Sequence, residues 1–263
     1  MKDKMKEEQN QELDQCREIE RSIIKKFKKE IWRGFTRAIN EYDMIQDGDK
    51  IAVCISGGKD SMLLTRLLAE RQRIFRPSIS VGAAYVTMDN IPYESDHAAL
   101  DAFCREEGVP LAVVHASFED RGRQDKNPCF LCARHRRRAL FDYAVSHGFN
   151  KLALGHHQDD ILVTLLMNMN YEGRIDTMRP SVAMQHYPLT VIRPLCLVRE
   201  SYISQYASEA GLRGLTAVCP YDHATHRTTM KEVLGYMESV NPEARFNLWR
   251  IATGTFRGSA CPL

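Results

Sequence analysis

The feature that most constrains this chain of 263 residues is an apolar run that stops on two glycines: Ile51-Ala52-Val53-Cys54-Ile55, then Ser56-Gly57-Gly58-Lys59-Asp60-Ser61. An unbroken apolar run of this length reads as a strand buried on both faces, the usual condition in a parallel sheet. The following stretch, 61 to 71, reads as an amphipathic helix with Met62, Leu63, Leu67 and Leu68 turned inward. The glycines let the backbone approach a ligand closely. The helix start offers unpaired N–H groups and a dipole that favours an anion. Ser56 and Ser61 add hydroxyl donors, Lys59 can neutralise phosphate charge and Asp60 can hold Mg²⁺. The glycine spacing is not that of the GxxxxGK[ST] loop of ordinary ATPases. A plain strand–helix turn would explain the glycines but would leave the lysine and both serines without a role.

The rest of the chain alternates in the same way. Strands are predicted over 81–88, 111–115, 151–154 and 190–194, and helices over 96–107, 134–146, 159–168, 200–209 and 231–240, with Gly108 and Gly148 as stop signals. The expected fold class is α/β: an open, mostly parallel five-stranded sheet with helices on both faces. A long helix is expected over 12–42, with the apolar stripe Ile19, Ile23, Ile24, Phe27, Ile31, Trp32, Phe35 and Ile39. The expected division is an N-terminal helical segment (1–45), a core (46–215) and a C-terminal helical extension (216–263), ending in a loose tail from Gly258.

At 44% hydrophobic and 27% charged residues, the composition is that of a folded domain. No stretch approaches about 18 consecutive apolar residues, so no membrane span is expected. Residues 1–15 have no apolar core and no cleavage site, so no signal peptide is read and a cytoplasmic location is expected. The net charge is only +2, so any contact with nucleic acid must come from local clusters of basic residues. One cluster is Arg134, Arg136, Arg137 and Arg138; a second is Lys25, Lys26, Lys28, Lys29, Arg33 and Arg37. Either is also compatible with an ordinary solvated helix face.

Two further constellations carry chemistry. Gly155-His156-His157-Gln158-Asp159-Asp160 leaves the fourth strand and opens a helix. In an open α/β sheet such a segment lies at the ligand edge, beside the phosphate loop. Its carboxylates suit helix capping or Mg²⁺ binding, and its histidines suit orientation of the loop. The second constellation is Cys129-Phe130-Leu131-Cys132, expected in a loop, together with Cys219 in a later loop. A CxxC is shared by zinc sites, iron–sulfur sites and redox pairs. No second CxxC follows, so three cysteines suit either a cluster with one open iron or a zinc site with another ligand. Cys54, Cys104 and Cys196 lie in apolar surroundings and read as packing; Cys16 and Cys261 read as incidental.

The unbroken SGGKDS resembles the signature of the PP-loop ATP pyrophosphatases, the adenine nucleotide alpha-hydrolase superfamily. Arg33-Gly34-Phe35-Thr36-Arg37-Ala38-Ile39, SGGKDS, the CxxC with its basic helix, Leu154–Asp160, Ile192-Arg193-Pro194-Leu195 and Cys219-Pro220 follow one another as in the tRNA 2-thiocytidine synthetase family. The resemblance implies ATP, Mg²⁺ and an adenylated intermediate. It implies nucleotide contacts from Ser56, Gly57, Gly58, Lys59, Asp60, Ser61 and Gly155. It implies Lys59, Asp60 and Asp160 as catalytic groups, the two acids holding Mg²⁺, and a 4Fe–4S cluster on Cys129, Cys132 and Cys219. It further implies sulfur transfer to C2 of cytidine 32 in the tRNA anticodon loop, RNA contacts from the arginine run, a cysteine desulfurase as sulfur donor, and a homodimer. One departure stands near the third cysteine: Asp222 replaces a cysteine common in the family. The rival readings are a PP-loop enzyme acting on a small molecule or another tRNA nucleoside, and a non-enzymatic nucleotide-binding module with structural zinc.

Overall fold

The computed structural model describes residues 23, 25–74, 78–90, 96–117, 128–212 and 226–256, with residues 128–130 described by their backbone alone. The run predicted as the first strand is β1 (Lys50–Cys54), with Ile51, Ala52 and Val53 each 0% exposed. It pairs in parallel with β2 (Ser80–Met88) on one side and β4 (Lys151–Ala153) on the other, in registers Ile51↔Val81 and Ile51↔Lys151. β3 (Leu111–Ala116) continues the sheet beyond β2, and β6 (Thr190–Ile192) continues it beyond β4, both in parallel. A short strand not anticipated from the sequence, β5 (Ser181–Ala183), closes that edge antiparallel to β6. The sheet therefore has six strands in the order β3-β2-β1-β4-β6-β5. The strand order reverses direction between β1 and β4, and ligands of open α/β sheets bind at the carboxyl edge of such a switch point.

The strand period of two distributes side chains between two cores. Ile51, Val53, Ala153 and Ile192 face a large cluster built with α1 (Arg33–Glu41), α2 (Lys59–Ile74), α3 (His97–Glu106), α5 (Gln158–Glu172), α6 (Glu200–Glu209), α7 (His226–Val240) and α8 (Ala244–Thr255). Ala52, Leu152 and Val191 face the other way and are covered by Phe141 and Ala144 of α4 (Pro128–Ser146).

The N-terminal stripe packs as expected, but its winding differs. Ile23, Phe27, Ile31, Phe35 and Ile39 are all buried, and they recur every four residues. On an α-helix each such step would rotate the stripe by about 40°, carrying it off the core within a few turns. Lys28–Trp32 is instead a π-helical segment, with Trp32 N donating to Phe27 O at 3.2 Å, and its wider turn resets the phase. Ile19 and Ile24 lie outside the described residues, as does the tail from Gly258.

Beneath α2 lies a buried ion pair. Arg66 Nε donates to Glu107 Oε1 at 2.5 Å and Arg66 Nη1 to the Tyr206 hydroxyl at 3.0 Å, tying α2 to the end of α3 and to α6. Both charged side chains are 6% exposed. Breaking a buried pair by removing one partner typically costs about 3 kcal/mol or more, because the remaining charge is stranded. Arg66→Ala should lower the free energy of urea unfolding by about that amount. A change below about 0.5 kcal/mol, the range of an ordinary surface substitution, would contradict this account of the α2–α3–α6 junction.

Candidate active site at the sheet's switch point

The loops that leave β1 and β4 meet at the carboxyl edge of the sheet. Residues 55–58 form the first. Gly57 has φ +80°, a conformation L side chains rarely adopt. The loop is braced internally: Ser56 N donates to Ser61 Oγ at 3.1 Å, the two serine hydroxyls are 3.1 Å apart, and Ser61 Oγ donates to Gly58 O at 2.9 Å. The N-terminus of α2 lies beyond this loop and supplies the anion-attracting end of its dipole.

The second loop touches the first through Gly155. A Cβ built there would lie 3.1 Å from Ser61 N, 3.2 Å from the Asp60 carbonyl carbon and 3.2 Å from Ser61 Cα, all backbone atoms. Gly155 is thus a spacer that lets two backbones pack without a side chain between them. His157 then caps α5: the Asp160 N–H points at His157 Nδ1 at 3.4 Å, and the His157 N–H donates to Asp160 Oδ2 at 2.9 Å, a reciprocal capping box. This orienting role is the one expected for a histidine here. His156 beside it is held neutral, its imidazole pushed down to about 4 by burial and the nearby Arg193 charge.

Asp60 and Asp160 face one cavity, of about 320 Å³, lined also by His157, Asp159, Val163, Glu200, Arg227, Thr228 and Lys231. His157 Nε2 stands between the two acids, 3.9 Å from Asp60 Oδ1 and 3.5 Å from Asp160 Oδ2. Burial alone would raise the Asp160 carboxyl, but His157 and Arg227, the latter at 2.7 Å from Asp160 Oδ1, outweigh burial and hold it below the usual carboxylate range. Asp60 Oδ1 is buried without a hydrogen-bond partner, 3.2 Å from Lys59 Nζ. Among the described residues no group of three or more metal-type ligands forms. A pair of carboxylates nevertheless fits Mg²⁺, which commonly takes one or two protein carboxylates and completes its shell with phosphate and water.

Lys59 is shared between Asp60 and Glu200, the latter at 3.2 Å; burial opposes its charge, but the two carboxylates outweigh that and raise its pKa. Glu200, Arg227 and Lys231 were not singled out as site residues from the sequence. They reach the cavity only because α6 and α7 pack there, and no local pattern announces it. Asp159 lines the same cavity but is taken up by the surrounding helices, accepting from Glu200 N at 2.8 Å and Arg245 Nη2 at 2.8 Å, while Arg245 Nε donates to Glu238 at 2.7 Å. Asp159 is therefore the post that holds α6, α7 and α8 on the site.

The cysteines call for a correction. The CxxC does not lie in a loop: α4 begins at Pro128, so Cys129 and Cys132 fall in its first turns. Pro128 is well placed to start a helix, since its fixed φ is helical and its missing N–H would be unpaired there anyway. A spacing of three puts both positions on one helix face. Cys132 packs beside Val86 and Met88 at the carboxyl end of β2. Cys219 lies outside the described residues. Of the arginine run, Arg134, Arg137 and Arg138 are exposed, whereas Arg136 is half-buried and donates to Val86 O at 3.3 Å. Cys104 and Cys196 are fully buried, as expected for packing cysteines, and Cys54 is half-buried in the smaller core.

A family model described as a PP-loop domain matches residues 19–234. The tRNA-cytidine(32) 2-sulfurtransferase of Geobacter metallireducens is 36% identical over 234 residues, 86% of this chain and 89% of that one. The protein of the same name from Bdellovibrio bacteriovorus is 37% identical over 194 residues, 73% of each chain. Among solved structures, the U34-tRNA thiolase NcsA from Methanococcus maripaludis, determined with its 4Fe-4S cluster, shares the fold with a TM-score of 0.66 and 24% identity, over 83% of this chain and 76% of that one.

Gly155→Ala should push the two loops apart by a few tenths of an ångström while leaving the sheet intact. Misplacement on this scale lowers rates steeply, so the variant should lose about tenfold or more in ATP-dependent turnover with little change in thermal midpoint. Wild-type turnover in Gly155→Ala would show that the backbone contact is dispensable.

Proposed function

Because the chain belongs to the PP-loop family and, within it, to the tRNA-cytidine(32) 2-sulfurtransferases, we propose that it uses ATP to activate the C2 oxygen of cytidine 32 in tRNA and replaces that oxygen with sulfur. The observation that carries this reading is the joining of the SGGKDS loop and the Asp160 loop on one cavity through Gly155. Ser56, Gly57, Gly58 and Ser61, with the α2 N-terminus, take the phosphates. Asp60 and Asp160 are the carboxylates that would hold Mg²⁺, which would offset phosphate charge there. The charge around the cavity supports the metal: Asp60, Asp159, Asp160 and Glu200 on its wall stand against Arg227 and Lys231 there and Lys59 paired with Glu200 and Asp60, so a triphosphate needs a divalent ion to offset its own charge.

The C2 oxygen attacks the α-phosphorus and pyrophosphate leaves, with Lys59 beside it. A fixed donor of this kind is worth about 3 kcal/mol to a transition state in which charge develops. Adenylation turns the C2 oxygen into a good leaving group: hydrosulfide adds at C2, and AMP departs with the original oxygen. A 4Fe–4S cluster held by Cys129, Cys132 and Cys219 would supply the sulfur in reactive form. Soft thiolate donors suit that group. The exposed Arg134, Arg137 and Arg138 serve tRNA phosphates beside the sulfur site; Arg136 contributes its charge from a position anchored on Val86.

On the same reading a cysteine desulfurase provides the sulfur, the working unit is a homodimer, and the enzyme acts in the cytoplasm. Among the described residues no helix is long and apolar enough to cross a membrane. The division into 1–45, 46–215 and 216–263 carries over, the last part bringing α7 and α8 to the nucleotide.

The test is anaerobic incubation of the full-length protein with unmodified tRNA, ATP, Mg²⁺ and sulfide, followed by nucleoside mass spectrometry and pyrophosphate assay. Thiocytidine should appear with one pyrophosphate per sulfur. Lys59→Ala should lower both by about 10²-fold. Cys132→Ala should abolish thiocytidine while ATP still binds. Absence of tRNA-dependent pyrophosphate release from the wild type would overturn the proposal.

A further inference from the structure

Glu200, at the start of α6, holds two lysines at once. Its Oε1 takes Lys59 Nζ at 3.2 Å, and its Oε2 takes Lys231 Nζ. Lys59 belongs to the phosphate loop and Lys231 to α7. One turn before Lys231, Arg227 sits on Asp160, and Thr228 lines the same wall of the cavity. A carboxylate of the protein thus stands between a cation of the loop and the cations of α7.

These pairs are poorly explained as fold anchors. The Lys231 side chain is 53% exposed and that of Arg227 43%, and pairs so open to water contribute little to stability. α7 already has buried anchors in Met230 and Leu234, and the Arg245 links to Asp159 and Glu238 tie α7 and α8 to α5. Glu200 is itself pinned, since its N–H donates to Asp159 Oδ2. Burial would raise its carboxyl, but Lys231 and Lys59 outweigh that and keep it ionised. The result is a fixed anion presenting two oxygens to two lysines on the cavity wall, an arrangement that a phosphate group reproduces.

We propose that Glu200 is a built-in stand-in for phosphate: it competes with the terminal phosphates of ATP for Lys59 and Lys231, and nucleotide binding exchanges carboxylate for phosphate on both lysines. Lys231 is then a ligand of the leaving pyrophosphate, with Arg227 as its neighbour on the same helix. This rests on the reading of the cavity as the ATP site. It makes the helix that follows the Cys219 segment part of the nucleotide site.

The experiment is calorimetric titration of the full-length protein with magnesium pyrophosphate, magnesium ATP and adenosine. Lys231→Gln should weaken pyrophosphate and ATP by about tenfold or more, the loss expected for one charge-assisted contact, and leave adenosine unchanged. Lys231→Arg should retain most of the affinity, which separates lost charge from misfolding. Glu200→Gln should tighten pyrophosphate several-fold, because it removes the competitor. Unchanged pyrophosphate affinity in Lys231→Gln would overturn the proposal, and so would weaker binding in Glu200→Gln, which would make the carboxylate a helper of the ligand. A wild type that binds neither ATP nor pyrophosphate would instead remove the ATP reading itself, and this inference with it.

Discussion

The site depends on one backbone contact. β1 and β4 are neighbours in the sheet, and the chain leaving each must turn over its carboxyl edge without colliding with the other. Gly155 makes that possible by lying directly against the Asp60–Ser61 peptide. Because the two loops touch, the phosphate loop and the Asp160 carboxylate are brought to one cavity. The capping box between His157 and Asp160 then fixes the acid's direction, and Asp159 holds Arg245 and the start of α6. Adjacent aspartates on one helix turn thus make different contacts on one cavity: Asp160 pairs with Arg227, and Asp159 ties down the helices that wall it.

This division explains why an acidic pair can stand in a site built for a polyanion. Left alone, Asp60, Asp160 and Glu200 would repel a triphosphate. Each is matched by a cation: Asp60 by Lys59 beside it on α2, Asp160 by Arg227 of α7, and Glu200 by both Lys59 and Lys231 of α7. The pairing offsets most of the negative charge these acids bring to the cavity. On the opposite face of the sheet, α4 carries the CxxC at its start and the arginines along its length, while Phe141 and Ala144 pack it against β1, β4 and β6. The cavity's carboxylates and the CxxC are therefore mounted on separate helices that share the sheet as their base.

Much of this was legible because its causes are local. A buried strand, two glycines and an amphipathic helix write the phosphate loop into consecutive residues, and the parallel order of the main strands follows from alternation alone. What was not legible has causes that lie elsewhere in the fold. The three-residue strand Ser181–Ala183 exists only because β6 is there to pair with it. The helix Ala244–Thr255 leaves Phe246 and Ile251 exposed, which blurs its apolar stripe. The CxxC was expected in a loop, although Asn127-Pro128 just ahead of it is a usual helix-start pair, and the helix begins at Pro128; that signal was local and was missed. Histidine is not among the preferred helix caps, so the role of His157 as the α5 cap emerged only from geometry. Glu200, Arg227 and Lys231 meet through tertiary packing across more than one helix, a relation no spacing encodes.

The central claim is that the C2 oxygen of a cytidine is transferred to AMP. It is tested most directly by supplying tRNA whose cytidine 32 carries oxygen-18 at C2 and weighing the AMP formed in an anaerobic reaction with ATP, Mg²⁺ and sulfide. The account predicts AMP heavier by one oxygen-18, in amount equal to the thiocytidine made. Unlabelled AMP accompanying thiocytidine, or ADP as the nucleotide product, would contradict activation at that oxygen.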